Sequence, residues 1–222
     1  MGSASRNVRT YDHFCFVARS LEKVGDRWSL LVVRDLLSGR RRFTDLMDRL
    51  GGITPKTLSM RLRELGDAGI VAVDRASGRR EVWYSLTPSG RELAPVIEAL
   101  GNWGLRHTWR RPRADEPLHP EHLLRAVVQA IDTESTDRRP VRWAFVLDGE
   151  DYVVACDGER WSYSSDFDED AAVVTLAATH DAFARLILDG SSDGVTLTGQ
   201  PPAVERLRAL IGTIRDVVTV TS

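Results

Sequence analysis

Four side chains between residues 56 and 63 have the types and spacing to read a nucleic-acid duplex. Projected at 100° per residue, Lys56, Ser59, Met60 and Arg63 share one side of a helix and Leu58, Leu62 and Leu65 the other. Lysine and arginine can meet phosphate oxygens or the N7 and O6 acceptors of guanine, a serine hydroxyl takes either hydrogen-bonding role, and a methionine packs on a thymine methyl. Thr54, Thr57, Arg61 and, one segment earlier, Arg42 are further polar candidates around this helix. Arg79 and Arg80 add two cations suited to phosphate or a narrow minor groove, an affinity that salt should weaken.

Such side chains work only if rigid elements aim them. Phe14, Val17, Leu21 and Val24 recur at helical spacing and stop at Gly25. Asp26 can cap a second helix carrying Trp28, Leu31, Val32 and Leu36, which ends at Gly39. A third helix from Thr44 buries Leu46, Met47 and Leu50, with Phe43 beside them. The GGIT turn follows, with two glycines free to take positive φ, Thr54 as N-cap and Pro55 at the first helical position, where its missing N–H costs nothing. Ile70 to Asp74 and Glu81 to Leu86 alternate as strands around an SGRR turn, placing Arg79 and Arg80 at a hairpin tip. Thr87 and Pro88 open a helix striped by Leu93, Val96, Ile97, Leu100 and Trp103.

Charge divides the chain as sharply as pattern does. The net charge of −2 hides 21 Lys+Arg against 12 Asp+Glu up to Arg113, and 9 against 20 beyond it. A basic half suits a polyanion and an acidic half does not. The proline-rich RRPRADEPLHP marks the boundary, giving a domain over 1–110, a linker over 111–120 and a second domain over 121–222. In the second, a helix from His122 to Ile131 precedes the runs VRWAFVL, DYVVAC and RWSYS, joined by Asp148-Gly149 and Asp157-Gly158, both hairpin signals. A strand at 172–177, a helix at 181–188, a strand at 195–198 and a helix at 201–214 complete an expected α+β domain with an antiparallel sheet.

The segment CFVARSLEKVGDRWSLLVVRDLLSGRRRFTDLMDRLGGITPKTLSMRLRELGDAGIV resembles the core of HxlR-type winged helix-turn-helix regulators. The likeness lies in the cysteine before the first helix, the Gly-x-x-Trp opening of the second, RRF-x-DL, and I-x-P-K-x-L-S in the recognition helix. It departs at Phe16, where proline is common, and at Met60, where glutamine is frequent. The resemblance implies a mainly α winged helix-turn-helix domain.

 The implied assembly is a homodimer bound to double-stranded DNA at a near-palindromic operator, joined through the N-terminal helices and the long helix after the wing. Phe14, Val17, Leu93, Val96, Ile97, Leu100 and Trp103 are the expected seam. Relatives use a cysteine at the position of Cys15 to sense oxidants, so the resemblance makes Cys15 the candidate redox residue; the alternative is a small buried hydrophobe beside a helix start.

The segment DAFARLILDGSSDGVTLTGQPPAVERLRALI, after its strand meander, looks like the end of a sterol-carrier-protein-like domain. That resemblance implies an apolar cavity for a small hydrophobic ligand, with Trp143, Phe145, Trp161, Tyr163 and Phe183 as wall candidates or, alternatively, simple core. The resulting expectation is a dimeric repressor modulated by such a ligand. A hydrophobic-ligand carrier, or an assembly protein using the winged helix for protein contacts, is the alternative.

Other chemistry finds no footing. There is no GxSxG elbow, phosphate-cradling glycine loop or metal-spaced Cys/His set, so neither an enzyme nor a cofactor is expected. His119 and His122 lack further ligands nearby, and DFDED lacks the glycine and the twelfth-position acid of a calcium loop. Two distant cysteines, no membrane-length apolar run and no secretion-signal core lead to the expectation of a soluble cytoplasmic protein.

Overall fold

The computed structural model describes residues 10–12, 14–75, 81–108, 110, 113, 116, 119–165 and 172–220, with the side chains of 105 and 216–220 excepted. It divides into two compact units, Met1–Ile97 and Glu98–Ser222.

The first unit is mainly helical. α1 (Phe16–Val24) buries only Val24, whereas α2 (Ser29–Leu37) is sunk in the core through Val32, Val33 and Leu36. Asp26 prepares the start of α2 by accepting the Trp28 N–H at 2.9 Å. After β1 (Arg41–Arg42) comes α3 (Phe43–Leu50), where Asp45 accepts the Arg42 N–H at 2.8 Å and satisfies an otherwise orphaned donor. Gly51 and Gly52, with φ of 50° and 65°, turn the chain into α4 (Pro55–Asp67). β2 (Val71–Asp74) and β3 (Trp83–Leu86) form the wing strands, and β1 joins them in a three-stranded antiparallel sheet of order β1-β3-β2.

The strand β1 goes beyond the sequence reading, because two residues are too few to show a period. The helix expected from Thr87 is also two pieces, α5 (Pro88–Arg91) and α6 (Ala94–His107). The Thr87 hydroxyl donates to the Gly69 carbonyl at 2.6 Å and accepts the Gly90 N–H at 3.0 Å. Gly90 lies so near the Ile70 carbonyl that an added Cβ would stand 2.2 Å from its oxygen.

The second unit holds the last part of α6, then α7 (Pro120–Glu134), β4 (Val141–Leu147), β5 (Glu150–Cys156), β6 (Trp161–Ser164), β7 (Val174–Ala178), α8 (His180–Asp189), β8 (Val195–Gly199) and α9 (Pro201–Val220). Both hairpins form as the turn residues require. Asp148 and Gly149 have φ of 49° and 80°, the double positive-φ geometry of a two-residue loop, and the Asp157 carboxylate accepts the N–H groups of Glu159 and Arg160 at 2.8 Å. The sheet order is β6-β5-β4-β7-β8, and β4 pairs with β7 in parallel. The sheet is therefore mixed, which corrects the antiparallel expectation. Hairpin signals set the direction of strands joined by tight turns and carry no information about a strand that crosses over to the far edge of β4.

Candidate nucleic-acid interface

α4 owes its position to its capped N-terminus and one buried side. The Thr54 hydroxyl accepts the Thr57 N–H at 3.2 Å and pairs with the Thr57 hydroxyl at 2.8 Å, so both threonines are engaged in the cap. Leu58, Leu62 and Leu65 are buried, and Ile53 anchors the preceding turn inside the same core. Lys56, Ser59 and Arg63 stand exposed on the opposite side, with Met60 half-buried beside them. Among the described residues neither Lys56 nor Arg63 has an ion-pair partner. A helix of this diameter, about 10–12 Å with side chains, matches a major groove about 12 Å wide.

Arg61 does not share that surface. Its side chain is 16% exposed, with Nη1 at 2.6 Å from Glu64 and Nε at 3.4 Å from Asp26, so it ties α4 to the turn before α2. Arg42 is likewise held by carboxylates, at 3.1 Å from Glu81 and 3.5 Å from Asp45. Both stand in ion pairs that brace the elements around α4. Arg79 and Arg80 lie outside the described residues. Arg40, which sequence reasoning passed over, is exposed above the Trp83 ring at 4.6 Å.

The apolar residues expected at a dimer seam separate into two groups. Phe14 is 85% exposed, Val17 68%, Leu100 50%, Trp103 58% and Val96 43%. Ile97 is buried and Leu93 packs against the first unit's core, so these two are corrected to core positions. Cys15 is exposed immediately before α1. In the second unit Trp143, Phe145, Trp161 and Phe183 are buried and Tyr163 packs against the same cluster. The rings meet one another, Trp143 with Trp161 at 5.1 Å and Phe145 with Phe183 at 6.0 Å, as in ordinary core packing. His119 and His122 stack edge to face, and among the described residues no group of three or more His, Cys, Asp and Glu side chains is arranged to hold a metal. No described helix is long and apolar enough to cross a membrane.

The HxlR-like helix-turn-helix family profile matches residues 23–112, from the end of α1 to just beyond the end of α6. An HTH-type transcriptional regulator of Synechocystis sp. is 40% identical over 93 residues, which span 41% of this chain and 69% of that protein. The chain belongs to the HxlR-like helix-turn-helix family. Among other HTH-type regulators, one from Mycobacterium tuberculosis is 41% identical over 102 residues, 46% of this chain and 62% of its own length. Bacillus subtilis YybR is 30% identical over 110 residues, 46% of this chain and 82% of its own. Among solved structures, the redox regulator HypR in its oxidized form has 30% identity and a TM-score of 0.40, covering 44% of this chain and all of that one. Each of these likenesses covers less than half of this HxlR-like chain, and the family match ends before α7.

Proposed function

We propose that this HxlR-like protein is a homodimeric transcription regulator, acting as a repressor, that inserts α4 into the major groove of an operator half-site. The observation that carries the proposal is the pairing of a sealed leucine side with an exposed side where Lys56 and Arg63 lack counter-charges. Ser59 and Met60 complete the base-reading surface. The exposed apolar side chains of Phe14, Val17, Val96, Leu100 and Trp103 are the proposed seam for a second copy, since exposed groups of this kind favour burial by a partner. Two recognition helices then meet half-sites about 34 Å apart. A mobility shift on the gene's own promoter DNA at two salt concentrations tests the reading. Specific binding that weakens steeply with salt is expected; no specific shift would favour a carrier or assembly role.

The second unit is proposed to sense a small hydrophobic ligand, with the helices covering its sheet as the supporting feature of the sterol-carrier-like reading. Because the aromatic rings already bury one another, a ligand there has to displace core packing. Full-length protein should then change operator affinity with a ligand that leaves the isolated DNA-binding region unaffected. The exposure of Cys15 favours a second mode of control, through its thiol. Retained oxidant response in Cys15→Ser would dismiss it.

A further inference from the structure

Arg40 is the first of three consecutive arginines leading into α3. Alternate residues of an extended segment share a side, so Arg40 and Arg42 fall on one side and Arg41 on the other. The strand register sets Arg42 opposite Trp83. The half-buried indole carries both guanidinium groups, with Cζ of Arg40 at 4.6 Å and of Arg42 at 5.4 Å from the ring centroid.

The two cations differ in what balances them. Arg42 is compensated by Glu81 and Asp45. Arg40 is exposed and, among the described residues, has no carboxylate partner. Two guanidinium groups over one ring repel each other, and the carboxylates neutralise only one of them, so the arrangement leaves a site for an incoming anion. A stacked guanidinium keeps its N–H edge free to donate. The ring also restricts a side chain that would otherwise lose more freedom on binding. Trp83 begins β3, which pairs with β2, and this puts the cation beside strands suited to flank a duplex.

We propose that Arg40 contacts a phosphodiester of duplex DNA and that Trp83 is its positioning residue. The inference rests on the DNA-binding reading above and adds a contact outside α4. It is tested with full-length protein and a labelled 30-bp duplex of unrelated sequence, by fluorescence anisotropy between about 50 and 200 mM salt. Arg40→Gln should lower affinity about threefold to tenfold at the low-salt end and reduce the slope of log K against log salt by about 0.9, the value of one phosphate contact. In a Trp83→Leu background the same change should cost less than half as much, because the ring no longer aims the arginine. Trp83→Phe, which keeps an aromatic face, should leave most of the Arg40→Gln effect in place, and Trp83→Val replaces the leucine variant in the additivity test if that one fails to fold. An unchanged slope in Arg40→Gln, or additive effects of the two substitutions, overturns the proposal. Failure of the wild-type protein to bind the duplex overturns the DNA-binding reading itself; wild-type binding that is lost in Lys56→Glu/Arg63→Glu but keeps its slope in Arg40→Gln overturns this inference alone.

Discussion

The outward side of α4 and the α7–β4 connection both present cationic side chains, but they use them differently. On α4, Lys56 and Arg63 point to solvent without counter-charges among the described residues. Between α7 and β4, Asp137 receives two bidentate arginines, Arg139 at 2.6 and 3.1 Å and Arg206 at 2.9 and 3.0 Å. Arg206 also lies over the rings of Trp143 and Trp161, and the Trp161 Nε1–H donates to the Asp137 carbonyl at 2.9 Å. Neutralised charge of this kind holds a fold together. Charge left unbalanced on a rigid helix is available to a polyanion.

The largest expected effect separates the two uses directly. Lys56→Glu/Arg63→Glu should lower affinity for promoter DNA at least a hundredfold in a mobility shift, because two contacts worth about 1–3 kcal/mol each are replaced by repulsion. Thermal stability should stay near wild type. A loss of equal size in Arg61→Ala, whose side chain is already paired, would erase the distinction between free and braced cations.

Asp137→Asn should act on stability and leave promoter binding unchanged. Breaking a fully buried pair costs about 3–5 kcal/mol, and with Asp137 20% and Arg206 13% exposed the expected loss is nearer 2 kcal/mol in urea unfolding. The same carboxyl gives a pH signature. Hydrogen bonds from Arg139, and then from Arg206, hold Asp137 well below the usual carboxylate range. Its stabilisation should be complete above the unfolded-state pKa of about 3.9 and disappear as pH falls through the lower folded-state value. Urea titrations between pH 5 and 2 should show a loss in the wild type that is smaller in Asp137→Asn.

The smallest expected effect lies at the start of the recognition helix. Thr54→Ala removes the hydroxyl that accepts the Thr57 N–H and should cost about 1 kcal/mol, with a modest drop in DNA affinity from fraying. Equal stability of the two proteins in urea would show that the cap does not hold α4 in place.

The leucine side and cationic side of α4 were legible because a helix of thirteen residues repeats its period often enough to be seen. The same projection sets Arg61 about 140° from Lys56, near the leucines, so its engagement with Asp26 was partly readable from angle alone. Its partner was not, since residues 26 and 61 meet only through tertiary packing. Arg40 escaped for a similar reason: its stack on Trp83 depends on a two-residue strand that pairs Arg42 with Trp83, far along the chain, which local pattern does not encode. The seam residues show the limit of a stripe. Ile97 and Trp103 belong to one apolar series, yet burial separates them at 9% and 58% exposure.

The missing side chain at Gly90 ties the geometry of the wing to that of the helix after it. With no room between residue 90 and the Ile70 carbonyl, even a methyl group must wedge the base of β2 away from α5. Gly90→Ala is thus a one-carbon shim for changing the wing's pitch while every residue that faces a duplex keeps its identity.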